Sequence, residues 1–335
     1  MTNGNDISAL GYIDPYTKGP LSEVDGELHS SDGNAYKIVT AYGKSIPIFL
    51  DASRLGEDGE RSLTMYDTSQ SVEIYRNFLS WLFRTFDENE GEFRRALVSK
   101  LNLRAGDKIL ITGCGLGDDV FPVVECLGGD CSVYASDLSL HMVTSAAQDM
   151  EARFRNSPVK LNFFVADAGA LPFDDNFFDS AFHFGGINLF DDPKTAIAEM
   201  TRVVRDGGRI AFGDEGVAPW LRHTEYAKMV IANNYLWAAN SLIDILPFGA
   251  TEVNLSWILG NCFYFIDYTK SAKGPHINPD IQHIGWKGGS MRTRYFGQVE
   301  GVSPDLKNKM YEAAKKNQVS VHDWLNAAIK DALSK

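Results

Sequence analysis

The chain has 335 residues, 44% of them hydrophobic, a formal net charge of -12 and a pI near 5.1. That length carries one large or two modest domains with a sizeable core, and the acidic balance argues against bulk DNA or RNA as a partner, since phosphate backbones attract basic surfaces. No apolar run approaches the roughly 18 to 20 residues of a membrane span, and Met1 to Asp6 lacks the blocks of a secretory signal. The expected address is cytoplasmic, with the four cysteines (Cys114, Cys126, Cys131, Cys262) as reduced thiols in or near the core.

Residues 12–51 are turn-rich, with short alternating runs in AYKIV and IPIFL, and predict a small β module. Its opening turn holds Asp14, Pro15, Thr17, Gly19 and Pro20, and an Ile-Pro strand closes it. With these features the stretch resembles the zinc-ribbon module that precedes some class I methyltransferase domains. The resemblance puts Asp14 and Thr17 where that module has cysteines; neither is a thiolate, and no Cys precedes Cys114, so no structural zinc is expected. Next, LTMYDTSQSVEIYRNFLSWLFRTF (63–86) has helical spacing with Thr68 or Ser69 as cap, and EFRRALVSKLNL follows as a second amphipathic helix. Together they predict a helical lid, in which Tyr66, Tyr75 and Trp81 read singly as core and Tyr66 also as a residue reaching the ligand.

From 106 to 214 strand and helix patterns alternate, the signature of a parallel sheet. KILITGCGLGDD carries a Gly113-x-Gly115-x-Gly117 turn between strand and helix. A dinucleotide turn wants its third glycine at 118, where Asp118 stands with Asp119 beside it, and carboxylates at a helix N-terminus repel a pyrophosphate. The expected ligand is a nucleoside without phosphates that carries positive charge, as S-adenosylmethionine does. Asp137 ends the second strand, 20 residues after Gly117 (137 minus 117). An acid there accepts ribose hydroxyls in either nucleotide class.

The segment 159–216 resembles the region after the glycine turn in class I methyltransferases of the ubiquinone and menaquinone biosynthesis type, through its Asp167-Ala168 pair, its LPF and FD elements, and EMTRVVRDGG before the fifth strand. The resemblance implies a doubly wound, Rossmann-like α/β methyltransferase sheet with S-adenosyl-L-methionine as cofactor and S-adenosyl-L-homocysteine as product. It also implies cofactor contacts from Gly113, Gly115, Gly117, Asp137, Leu138, Asp167, Ala168 and Phe184, with Tyr66 from the lid. That family has an acid at the position that Thr112 occupies in this chain, and Asp118 or Asp119 is expected to compensate.

The acceptor site of such a sheet lies beyond the strands' carboxyl ends. There His183 and His223 are candidate bases, and Glu215 and Tyr226 are candidate orienters, Glu215 also counting as a catalytic group. Trp220, Tyr226, Tyr235 and Trp237 stand at helix-like spacing, so they read as core or as a lining for a flat acceptor, with Trp220 and Tyr226 the candidate contacts. The runs within 251–270 would close the sheet. Arg292 and Arg294 alternate on an expected strand, either as a solvated face or as a clamp for an acceptor carboxylate. The tail, with caps at Ser303 and Ser320, is similar to a ribbon-helix-helix unit and is expected to form a homodimer contact. The domain reading is a degenerate ribbon-like module over 1–55, a helical lid over 56–105, the methyltransferase domain over 106–300 and a helical hairpin over 301–335. Three functions follow: methylation of a small-molecule acceptor, methylation of a peptide carboxylate, or a cofactor-sensing DNA-binding regulator. No metal is expected.

Overall fold

In a computed structural model, described for residues 10–68, 70–286, 288–296 and 302–335, the chain divides into two compact units, Met1–Pro275 and His276–Lys335. The first opens with four short strands, β1 (Leu21–Val24), β2 (Glu27–Ser30), β3 (Ala35–Ala41) and β4 (Lys44–Pro47), in an antiparallel sheet of that order. Asp25-Gly26 and Tyr42-Gly43 form its two-residue turns, all four at positive φ, the hairpin geometry whose twist matches the strands it joins. The next residues leave the module in extended form: Ile48 bridges Val165, and Phe49 N donates to Val165 O at 2.8 Å. The edge of the main sheet is thereby covered.

That sheet has seven strands: β5 (Lys108–Thr112), β6 (Ser132–Asp137), β7 (Lys160–Val165), β8 (Phe178–Phe184), β9 (Val204–Glu215), β10 (Ala250–Ile258) and β11 (Phe263–Lys270). Their order is β10-β11-β9-β8-β5-β6-β7, with β11 antiparallel to both neighbours and the five strands β5 to β9 parallel. The runs from 251–270 thus complete the sheet as expected. Helices α4 (Val120–Cys126), α5 (Leu140–Phe154) and α6 (Pro193–Val203) connect the parallel strands. Because the sheet is buried on both faces, Ile109 and Ile111 enter one hydrophobic cluster while Leu110 between them enters the other. The strand order reverses between β5 and β8, and ligands of such sheets bind at that switch point.

The lid differs from expectation. The single helix read over 63–86 is two, α1 (Glu57–Tyr66) and α2 (Ser71–Thr85), broken at Asp67 and Thr68. Gln70, not Thr68, precedes α2; Thr68 Oγ1 instead meets Ser71 Oγ at 2.7 Å, and Ser69 lies outside the described residues. α3 (Glu90–Val98) follows, capped by Asn89. α7 (Glu225–Asn233), capped by Thr224, leads toward β10. All four cysteines are free thiols, with Cys126 exposed.

In the second unit, the strand expected to carry Arg292 and Arg294 is instead helix α8 (Met291–Phe296), and the remainder of that expected strand, 297–301, lies outside the described residues. Ser290 and Thr293 bracket the start of α8 reciprocally: Thr293 N donates to Ser290 Oγ, and Ser290 N to Thr293 Oγ1. α9 (Pro304–Lys316) and α10 (Val321–Leu333) pack on each other, with Ser303 and Ser320 at their N-caps. Among the described residues no helix is long and apolar enough to cross a membrane.

Candidate active site

The candidate site lies at the carboxyl ends of β5, β6, β8 and β9. Past Thr112 the chain turns through Gly113, Gly115 and Gly117, at φ 58°, 52° and 85°. These dihedrals favour glycine, and space requires it at Gly113, where a Cβ would lie 2.7 Å from His183 Cε1. At Gly115 a Cβ would stand 3.5 Å from the ring of Tyr75, so α2 covers the loop. Asp137 joins loop to strand: its Oδ2 accepts from Gly115 N at 3.0 Å and its Oδ1 from Ser139 N at 3.0 Å. Burial pushes this carboxyl up, against the lowering by those amides, and each oxygen keeps a second lone pair.

Of the two acids expected to make up for the acid missing at Thr112, Asp119 is engaged elsewhere. Thr112 is buried, with its hydroxyl 3.2 Å from His183 Nδ1. Asp119 is buried against Arg94, whose Nη1 donates to it at 2.7 Å while Nε reaches Glu90 at 2.8 Å. Its charge is matched within the protein, and its side chain makes no capping bond to α4. Of the pair only Asp118 keeps a partly exposed carboxylate.

Asp167 accepts from Gly169 N at 2.9 Å, and burial raises its carboxyl. Ala168 is buried and Leu138 half-buried. Phe184 is packed among Phe93 and Phe263, at ring distances of 5.4 and 6.0 Å, as part of the core.

Two acids meet at the end of β9. Asp214 accepts from the backbone amides of Asn188 at 2.6 Å and Glu215 at 2.8 Å. Glu215 lies near Asn234 Nδ2 at 3.5 Å; burial, and then the Asp214 charge, push its carboxyl up to about 9. It therefore carries a proton at neutral pH. Sequence reading singled out Glu215 and missed Asp214, although an Asp-Glu pair closing a buried strand is a visible signal. Tyr66 connects the two sides of the site. Its phenol is raised by burial and then by the charges of Glu215, Asp137 and Asp214, so it stands in the field of all three. Its ring meets Tyr75 edge-on at 6.5 Å. Among the described residues no lysine or arginine forms an ion pair with Asp137, Asp214 or Glu215.

The histidines divide. His183 is fully buried, with Nδ1 2.9 Å from Thr112 O, and burial pushes it down to about 4. A base so weak and so enclosed does not fit the general-base role expected of it. His223 is exposed, just before the cap of α7. The Tyr226 hydroxyl donates to Gly260 O at 2.8 Å, which ties α7 to the turn before β11. Trp237 is core, stacked on Trp81 at 6.1 Å, whereas Trp220 is 62% exposed and meets Trp257 edge-on. The arginines expected on one strand face are two apart on a helix, where such residues do not share a face. Arg292 Nε pairs with Asp280 at 2.7 Å, and Arg294 donates to Gly288 O at 2.8 Å.

Comparison with known proteins gives the same fold. Residues 110–212 match the family described as a methyltransferase domain. The demethylmenaquinone methyltransferase of Geobacillus stearothermophilus is 32% identical over 143 residues, which cover 43% of this chain and 55% of that enzyme. The O-methyltransferase rstn1 of Aspergillus nomiae is 29% identical over 160 residues, 45% of this chain and 69% of the relative. The chain thus spans about half the length of the first of these relatives. Among solved structures, phosphoethanolamine N-methyltransferase 2 of Haemonchus contortus, in complex with S-adenosyl-L-methionine, aligns with a TM-score of 0.51 at 15% identity, over 68% of this chain and 62% of that one. The seven-stranded mixed sheet is that of the class I methyltransferases.

Proposed function

We propose that this chain, a class I methyltransferase by its fold and its matching segment, is an S-adenosylmethionine-dependent enzyme that methylates a small-molecule acceptor at oxygen or carbon. The observation that carries the reading is the join between loop and acid: Asp137 holds Gly115 N while both of its oxygens can still accept, at the switch point of the sheet. A ribose diol matches those acceptors. A cationic nucleoside also matches a site where neither Asp137 nor the Asp214–Glu215 pair, which holds one proton on Glu215, has a basic partner among the described residues, and where the remaining negative charge would repel a pyrophosphate. The relative named as a demethylmenaquinone methyltransferase favours a small acceptor over a peptide.

Bound at the loop, the cofactor would supply an activated methyl group. The chain's own work is then orientation, exclusion of water and proton management. Gly113 to Gly117 and Asp137 would hold the adenosine, Asp167 and Ala168 would contact its base, and Tyr75, with Tyr66 against it, covers the loop. The Asp214–Glu215 pair would receive the proton of a phenol or enol acceptor. Glu215 holds its proton too tightly to act first at neutral pH, so the pair exchanges protons as a unit. His223 is the exposed alternative.

Incubation with methyl-labelled S-adenosylmethionine and a cell extract, then separation into small-molecule and protein fractions, tests the reading. Label is expected in the small-molecule fraction. Label in protein as carboxyl methyl ester favours the peptide reading, and no transfer to either contradicts both.

A further inference from the structure

We infer that α1 is a strap latched across the cofactor loop by two carboxylates, and that Asp191 is the positioning residue holding its N-terminal end. The inference rests on the cofactor reading above for its catalytic consequence, but the latch itself is read from contacts alone.

The first turn of a helix leaves its backbone amides without partners. In α1 they are satisfied from a distant segment. Asp191, which follows β8, accepts from Gly56 N at 2.8 Å, Gly59 N at 2.9 Å and Asp58 N at 3.1 Å. The residue at the N-cap, Gly56, has no side chain to do this. Neither Gly56 nor Gly59 sits at positive φ, so their dihedrals do not call for glycine; the approach of Asp191 does. A Cβ would lie 2.6 Å from its carboxylate at Gly56 and 2.4 Å at Gly59. The two glycines form a cradle cut to that carboxylate.

The other end is fastened after β6. Asp67 Oδ1 accepts from His141 N at 3.0 Å, and Ser139 Oγ lies 2.9 Å from both Asp67 Oδ1 and the Tyr66 carbonyl. Ser139 N in turn donates to Asp137, the acid assigned to the ribose. Since β5 lies between β8 and β6, a helix tied to the loops after both must cross the glycine turn that ends β5. Its ten residues give about 15 Å of helix, against about 10 Å for two strand spacings. Gly59, Ser62, Leu63 and Tyr66 form its less exposed face, at helical spacing. Tyr66 is thereby held in the field of Asp137, Asp214 and Glu215.

Release of the product nucleoside requires one latch to part. The Tyr66 end shares Ser139 with the ribose acid and is fixed when that acid is engaged. The Asp191 end is exposed and made only of bonds to backbone amides. It is the end that opens, and Asp191 sets how often.

Two readouts on wild type, Asp191→Ala and Gly59→Ala test this. Hydrogen exchange of the ligand-free proteins should quicken in 57–66 in both variants and stay unchanged in β5 to β9. S-adenosylhomocysteine should dissociate about tenfold faster, the factor that corresponds to one contact of about 1.4 kcal/mol, raising KM for the cofactor without lowering kcat. Unchanged exchange in 57–66 overturns the latch, as does faster exchange throughout the sheet, which marks a residue that only stabilises the fold. Faster exchange with unchanged release in variants that bind the product overturns the gating role. If the wild type binds no S-adenosylhomocysteine, the cofactor reading fails, and the exchange experiment still decides whether Asp191 fastens α1.

Discussion

Asp14 in the N-terminal module and Asp214 at the end of β9 are both fully buried, yet their carboxyls move in opposite directions. Burial alone would raise Asp14, but it accepts from Tyr16 N at 2.8 Å, Thr17 N at 2.9 Å and Asn34 Nδ2 at 2.8 Å, and these bonds hold it below the ordinary range. Asp214 also accepts backbone amides, and the Glu215 side chain lowers it too, but there burial wins. A buried acid enclosed by donors keeps its charge and fixes a turn. Where two buried acids share one enclosure, the pair stores a proton, here on Glu215. Around Asp14 the ring of donors closes the turn that opens the N-terminal module with hydrogen bonds. Asp119 offers a third solution, a buried arginine.

The largest effect should come from turning Asp119 into an unmatched charge. Arg94→Ala is expected to cost about 3–5 kcal/mol, as removal of one partner of a buried ion pair does, measured by urea unfolding. Little or no loss would mean that Asp119 takes up a proton at no cost. Glu215→Gln should act in the other direction and depend on pH. The folded carboxyl is raised from 4.5 to about 9, so between those values the folded state holds a proton that the unfolded chain has lost. Wild-type stability must then fall as pH rises through that window, by at most about 1.4 kcal/mol per pH unit for one proton. The variant should show a flatter profile and higher stability near pH 9, with methyl transfer reduced; parallel profiles would contradict the stored proton. Asp14→Ala should have a smaller effect, about 1–3 kcal/mol from orphaned donors, confined to hydrogen exchange in β1 to β4 and the turn before them. With its folded value lowered, the Asp14 contribution is present above the unfolded value and disappears as pH falls through the folded one.

The sheet was legible because its signals are local: apolar runs alternating with helical ones, a glycine turn at the end of β5 and an acid at the end of β6. What escaped depends on partners far away in sequence. Within 63–86 the caps read at Thr68 or Ser69 fall close to the start of α2, but the fastening of the end of α1 at Asp67 depends on the bonds from Ser139 and His141. Asp119 looked free to attract a cation because Arg94, 25 residues earlier, gives no sign in the sequence of meeting it. His183 read as a base because burial of a strand's end is not visible from its neighbours. The arginine alternation before 297 looked like a strand because the reciprocal Ser290 and Thr293 bonds that start α8 use threonine where the usual pattern has Glu or Gln.

The central claim is that Asp137 and the loop at Gly113 to Gly117 hold an adenosine without phosphates. Isothermal titration of ligand-stripped protein with S-adenosylhomocysteine tests it most directly. The account predicts one-site binding that weakens at least about tenfold in Asp137→Ala, the loss of a hydrogen-bonded contact worth about 1.4 kcal/mol, with no heat from a nicotinamide dinucleotide. Silence toward S-adenosylhomocysteine and S-adenosylmethionine, with clear heat from a nicotinamide or flavin dinucleotide, would contradict it.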